Sequence, residues 1–222
     1  MTVGTITIGQ SPRIDIIPEI RDVLGMDVKI IEKGVLDGLT LAEVNAFLPR
    51  PGEDFLVTRM KDGTEVKVAE AHLITRISQC ISEFQTEPVE IIMFLCTGKF
   101  PEFESRKMLL RPDRILYRLI QGLLFKGRLG VVVPEPDQIP AMKVKWQNPQ
   151  LEIVAEAFSP YTGVPEEMDE VADRIRAADV NLIVLDCMGF NRDAMARFRK
   201  ITGRPVILPR RVMAAVAREL IT

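Results

Sequence analysis

The chain has 222 residues, 47% hydrophobic and only 6% aromatic, enough for one large α/β domain or two small ones with mainly aliphatic cores. Its 29 Lys and Arg oppose 31 Asp and Glu for a net charge of -2, without a long block of one sign, which argues against a dedicated nucleic-acid surface. Three cysteines with no short-spaced pair and one histidine argue against a disulfide framework and a zinc cluster, so no metal is expected.

The N-terminus, MTVGTITIGQ, lacks the basic segment and long apolar stretch of a signal peptide. The longest aliphatic runs fall short of the roughly 20 residues that a membrane helix needs. A cytoplasmic protein without a membrane partner is expected. In sequence order, residues 3–8 predict a strand, and Ser11-Pro12 reads as a helix start with Ser11 as N-cap. A second strand is predicted around residues 28–31. TLAE at 40–43 has the form of a capping box opening a short helix. Residues 55–60, the turn KDG at 61–63 and residues 64–68 read as a β-hairpin. A helix over 70–84 follows, with Leu73, Ile77, Cys80, Ile81 and Phe84 on one apolar face, and then a strand ending at Cys96.

The second half repeats the plan. RPDRILYRLIQGLL is a helix leading into a strand at 129–134. A helix through 142–146, a strand near 153–158 and a helix over 166–178 lead to the strand LIVLDC, which ends at Cys187. NRDAMARFRK, PVILP and RRVMAAVAREL supply helix, strand and closing helix. Alternation of this kind predicts mainly parallel sheets with helices on their faces. The halves also match locally. TITIGQSPRIDIIP and LGVVVPEPDQIP each run strand, polar turn, then a helix near an Ile-Pro pair. IIMFLCTGKF and LIVLDCMGF each end a strand on Cys, followed two residues later by Gly. Pro18 to Cys96 spans 78 positions but Pro140 to Cys187 only 47, an excess of 31 that places an insertion around the hairpin. The division expected is an N-terminal lobe over 1–110, with the hairpin 54–69 inserted, and a C-terminal lobe over 111–222. The closing helix is open to being shared.

In open parallel sheets, ligands bind beyond the carboxyl ends of the strands, and Cys96 and Cys187 both fall there. Two thiols facing one small substrate suit proton transfer on and off a carbon, one as thiolate base and the other as acid. Gly98 and Gly189 would let backbone amides approach a substrate carboxylate or the enediolate formed from it. The bland alternative is that each cysteine only fills core space. Cys80, on the apolar face of its helix, reads as structural.

These residues resemble the aspartate/glutamate racemase superfamily, and most closely its AroM branch: TIGQSPR, LCTGKF, VVVPEPDQIP and LDCMGF occur in that family's order over nearly the whole chain. The resemblance implies two pseudo-symmetric three-layer α/β lobes and a cofactor-independent isomerase or racemase working next to a carboxylate or amide carbonyl. It assigns Cys96 and Cys187 as the thiol pair. Implied as substrate-binding are Gly9, Gln10, Ser11 and Arg13 at the first strand's mouth, with Thr97, Gly98, Met188 and Gly189 beside the cysteines. The partner implied is a small carboxylate or a cyclic amide. Thr97-Gly98 and Met188-Gly189 depart from the Asn-Thr and Thr-His that follow the cysteines of amino-acid racemases, so classical glutamate specificity is not implied. The alternatives are a silent carboxylate-binding or regulatory protein and a single-cysteine decarboxylase or lyase.

Several candidates have ordinary structural readings. Arg13 can clamp a carboxylate through paired hydrogen bonds or be a helix-surface charge. Thr97 can bind substrate or cap a turn. Glu135, Asp137, Lys99 and Arg192 read as solvated charges, and His72 as non-catalytic. Asp186 is expected to point away from Cys187, because neighbouring strand residues face opposite sides. The hairpin reads either as a dimer contact, in a homo-oligomer, or as a cleft lid.

Overall fold

The computed structural model describes residues 1–221. It divides into two units, Met1–Asp113 with the segment from Met213 onward, and Arg114–Val212. In the first, β1 (Thr2–Thr7), α1 (Ile17–Leu24) and β2 (Lys29–Gly34) are followed by α2 (Leu41–Asn45) and the strands β3 (Phe55–Arg59) and β4 (Glu65–Ala69). Then come α3 (Ile74–Phe84), β5 (Ile91–Leu95) and β6 (Met108–Leu110). After α4 (Pro112–Leu123), the second unit holds β7 (Gly127–Val133), α5 (Ile139–Trp146), β8 (Leu151–Ala157), α6 (Pro165–Ala177), β9 (Leu182–Leu185), α7 (Arg192–Thr202) and β10 (Val206–Ile207). The last helix is α8 (Pro209–Ile221).

Each unit carries one four-stranded sheet, paired in parallel throughout. The orders are β2-β1-β5-β6 and β8-β7-β9-β10, the same succession in each half. The likeness extends to register. Gly4 of β1 pairs with Ile92 of β5, and Gly130 of β7 pairs with Ile183 of β9. Each cysteine follows four residues after that partner, so Cys96 and Cys187 hold equivalent places. A Cβ on Gly4 would lie 2.9 Å from the Phe84 ring of α3, and one on Gly130 would lie 3.4 Å from Ile175 of α6. The missing side chain brings the helix down onto the sheet at the same point in both halves.

The insertion lies between β2 and α3. Residues 35–73 occupy that interval, where 158–164 suffice between β8 and α6. β3 and β4 pair antiparallel from Phe55↔Ala69 to Arg59↔Glu65, as the hairpin pattern predicts. The hairpin's Leu56, Met60, Val66 and Val68 are buried in one cluster with Ile6, Ile92, Phe94 and the α3 stripe of Ile77, Cys80, Ile81 and Phe84. One face of the hairpin is therefore core of the first unit. The capping box forms, with the Thr40 side chain accepting from the Glu43 amide and Glu43 accepting from the Thr40 amide.

In the second unit, strand alternation sorts side chains onto two faces. Leu129, Val131, Val133, Leu182 and Val184 pack with Leu116 and Ile120 of α4 and Trp146 of α5. Val132, Ile183 and Leu185 pack with Val171 and Ile175 of α6 and Phe198 of α7. This is a three-layer helix–sheet–helix arrangement.

Two local expectations are corrected. Helix α1 begins at Ile17, not at Ser11-Pro12, and its N-cap is Ile16. Asp37 captures both the Ser11 amide (2.7 Å) and the Ser11 hydroxyl (2.6 Å), so Ser11 caps no helix, and Pro18 supplies the first-turn ring. β6 is the second correction. Its three residues follow a Pro- and charge-rich stretch and are too short to show alternation.

Candidate active site

Each cysteine stands at the end of the third strand of its unit's sheet. Cys96 continues the parity of Ile92 and Phe94 and packs, partly buried, against the cluster that includes α3 and the hairpin. Cys187 continues the parity of Ile183 and Leu185, and its buried side chain joins the cluster of Val132, Phe158, Phe190 and Ala194. The backbone turns back at once in both places. The Gly98 amide donates to Cys96 Sγ at 3.3 Å, and the Gly189 amide donates to Cys187 Sγ at 3.3 Å. These two amides, expected to meet a substrate oxygen, are aimed at the sulfurs instead, because a Cys-x-Gly turn brings the second amide round to its own cysteine. An N–H donated to sulfur favours the thiolate over the thiol. Cys80 lies apart from this chemistry: burial pushes its thiol up to about 11.

The mouth of the first strand is engaged with the insertion. The Gln10 side chain donates to the carbonyls of Leu36 (3.1 Å) and Leu39 (2.7 Å) and accepts from the Lys61 amide (2.9 Å). Its backbone amide donates to the Arg59 carbonyl at 3.1 Å. A Cβ on Gly9 would lie 2.2 Å from that carbonyl oxygen, so only glycine fits where hairpin and loop meet. Arg13 is 3% exposed, and its fork holds Asp15 through Nε–Oδ1 (2.9 Å) and Nη2–Oδ2 (2.7 Å), while Nη1 donates to Thr7 Oγ1 (2.7 Å). The carboxylate in the clamp is the protein's own. Burial works to raise the Asp15 pKa, but the hydrogen bonds and charge of Arg13, with Arg59 3.8 Å away, hold it below the usual carboxylate range.

In the second half Asp186 faces the opposite side of its sheet from Cys187, as alternation requires. Its carboxylate receives Lys145 Nζ on both oxygens at 2.8 Å and Trp146 Nε1 at 2.7 Å. Both charges are almost fully enclosed. The turn that follows Cys187 is held by Arg210, which is 0% exposed and donates to the carbonyls of Met188 (2.6 and 2.9 Å) and Gly189 (2.9 Å). Arg111 acts comparably in the first unit, donating to the carbonyls of Phe100 and Pro101 at 2.6 Å each and pairing with Asp113. Both arginines stand where the fourth strand gives way to the next helix.

The structure thus places Gly9, Gln10, Ser11 and Arg13 in one loop, with the side chains of Gln10, Ser11 and Arg13 turned to Leu36 and Leu39, to Asp37 and to Asp15. Thr97 and Gly98 flank Cys96 and are buried, as Met188 and Gly189 are at Cys187. His72 is exposed and stacks on Phe47 at 5.0 Å. Asp15, Asp37, Lys145, Arg111 and Arg210 escape a reading by pattern. The only signal for the arginines is a charge interrupting an apolar run, in LLRP and ILPR. Among the described residues, no three His, Cys, Asp or Glu are grouped to hold a metal, and no helix is long and apolar enough to cross a membrane.

Solved structures share this fold at low identity. Arylmalonate decarboxylase superposes with a TM-score of 0.62 at 14% identity, covering 97% of this chain and 91% of that one. Allantoin racemase from Pseudomonas fluorescens gives 0.61 at 14%, covering 100% and 91%. Glutamate racemase from Aquifex pyrophilus gives 0.59 at 14%, covering 100% and 84%. No curated protein matches the sequence. The model of one sequence family, described as AroM protein, matches residues 3–221, which include both Cys-x-Gly turns and the loop that Arg13 anchors. By that match over almost its whole length, the chain belongs to the AroM family.

Proposed function

We propose that this protein is a cofactor-independent isomerase or racemase that moves a proton at a carbon next to a carboxylate or amide carbonyl of a small metabolite. Cys96 and Cys187 are its two thiols. The observation that carries the reading is the repeated turn in which a glycine amide is donated to the cysteine sulfur at 3.3 Å in each unit. Each turn sets an N–H donor on a strand-end sulfur, an arrangement suited to a thiolate. The fold neighbours, named as two racemases and a decarboxylase, support the same chemistry.

In this reading one cysteine, as thiolate, takes the proton from the carbon, and the electron pair moves onto the neighbouring carbonyl oxygen. The other cysteine, as thiol, returns a proton to that carbon and the carbonyl re-forms. Nothing is oxidised or reduced, and the two sulfurs have exchanged protonation states at the end of a turnover. Arg13 serves by holding the first-strand loop through Asp15.

The test is incubation with a panel of small carboxylates and hydantoins in heavy water, with exchange of carbon-bound hydrogen followed by mass spectrometry. At least one compound is expected to exchange. Cys96→Ala and Cys187→Ala are each expected to lower the rate about 100-fold or more. Exchange that survives either change would end the two-thiol account.

A second reading, a binding or regulatory protein without turnover, is favoured by the burial of Cys187 among apolar neighbours. It predicts thermal stabilisation by a ligand that persists when both cysteines are replaced.

A further inference from the structure

The carbonyl of Met188 and the N–H of Gly189 belong to one peptide unit, which is planar and trans, so they point in opposite directions. At one end Arg210 donates two hydrogen bonds to the Met188 oxygen, from Nη2 at 2.6 Å and Nε at 2.9 Å. At the other end the Gly189 N–H points at Cys187 Sγ. Arg210 also holds the following carbonyl, that of Gly189, at 2.9 Å. With two successive carbonyls gripped by one enclosed guanidinium, the peptide between Met188 and Gly189 is not free to rotate. A cation on the carbonyl also polarises the peptide and strengthens its N–H as a donor.

We propose that Arg210 is a positioning residue for Cys187, locking and polarising the Met188–Gly189 peptide whose N–H the Cys-x-Gly turn brings to the sulfur, and so favouring the thiolate. The matched arginine of the first unit is not linked to its cysteine in this way. Arg111 holds Phe100 and Pro101, beyond the Thr97–Gly98 peptide that faces Cys96. The two halves are alike in fold, and their arginines hold different carbonyls. The inference rests on reading Cys187 as a reacting thiol, but its test needs no substrate.

Other polar and charged groups stand near Cys187. Asp186 and Lys145 are bound to each other on the opposite side of the sheet. Arg192 and Asp193, in the first turn of α7, are exposed. The Tyr161 phenol lies against Gly189, where a Cβ would be 2.7 Å from its oxygen.

The experiment is an absorbance titration of the thiolate at about 240 nm, taken as the difference between each protein and its Cys187→Ser counterpart, in a background with Cys80→Ser and Cys96→Ala. Arg210→Met is expected to raise the midpoint so that the thiolate fraction below it falls about tenfold. Arg210→Lys keeps the charge without the fork and is expected to fall between. Arg111→Met is expected to leave the Cys187 midpoint in place. Unmoved midpoints in folded Arg210 variants would overturn the inference, as would an equal shift in Arg111→Met. If Arg210→Met fails to fold, Arg210→Lys decides by the same criterion. Failure of both to fold would assign Arg210 to stability alone and also overturn it. A moved midpoint in a protein that exchanges no hydrogen with any compound would refute the function proposed above and leave this inference standing.

Discussion

Arg13 and Lys145 show how differently a cation behaves once it is enclosed. Lys145 and Asp186 leave 7% and 0% of their side chains exposed, so removing one partner strands the other in a medium that solvates it poorly. Lys145→Ala is expected to cost about 3–5 kcal/mol, read by urea unfolding through Trp146, the only tryptophan and itself a partner of Asp186. The Arg128–Glu152 pair has a similar length, 2.9 Å, but both side chains are about half exposed, and Arg128→Ala is expected to cost about 1 kcal/mol or less. Asp15 supplies a pH signature. Its folded pKa lies below the unfolded value of about 3.9, so the folded state favours the ionised form. The stabilisation is complete above about pH 4 and is lost as the pH falls through the folded value. Asp15→Asn is expected to melt below the parent at about pH 7, with the difference narrowing below about pH 4, as measured by thermal denaturation across that range.

At the scale of elements, the hairpin and the first-strand loop are one structure in two separate segments of sequence. Gly9 and Gln10 meet Thr58, Arg59 and Lys61 so closely that the loop's shape depends on the insertion. Gly9→Ala would drive a methyl into backbone that cannot move alone, and a loss of about 1–3 kcal/mol or more is expected by urea denaturation. Gly122, on α4, offers the opposite case. A Cβ there meets nothing within 4 Å, and Gly122→Ala is expected to stabilise by about 0.5–1 kcal/mol through helix propensity. The sign of a Gly→Ala change thus separates a glycine required by packing from one that is not.

For the whole molecule, sequence order and packing differ at α8. Residues from Met213 onward belong with the first unit, although they follow the whole of the second. Met213, Ala214 and Ala217 are fully buried, and Arg218 donates to the Leu24 carbonyl at the end of α1 at 2.5 Å. Truncation after Val212 is expected to cost roughly 4 kcal/mol from the lost burial of Met213 and Ile221 alone, seen as a lower thermal midpoint by circular dichroism. The same sheet order and the same Gly–Ile register in both halves, with one cysteine four residues on, make the halves equivalent in structure.

Alternation of apolar strands and amphipathic helices was legible in the amino-acid order, because burial on one face imposes its period directly on the sequence. So were the hairpin, the capping box, the structural role of Cys80, the opposite facing of Asp186 and Cys187, and the strand-end place of the two cysteines. Those features rest on neighbours within a few residues or on the parity of a strand. Where a polar side group finds its partner was decided only by the tertiary structure. Ser11 reads as a cap until Asp37 reaches it, and Arg13, a clamp or a surface charge by its sequence, is buried with its fork on Asp15. Gln10 loses its amide to a segment up to 51 residues away. Arg210 reaches back 22 residues to hold the turn after Cys187. A hydrogen bond pairs one donor with one acceptor and repeats with no period, so its partner is fixed only when the protein has folded.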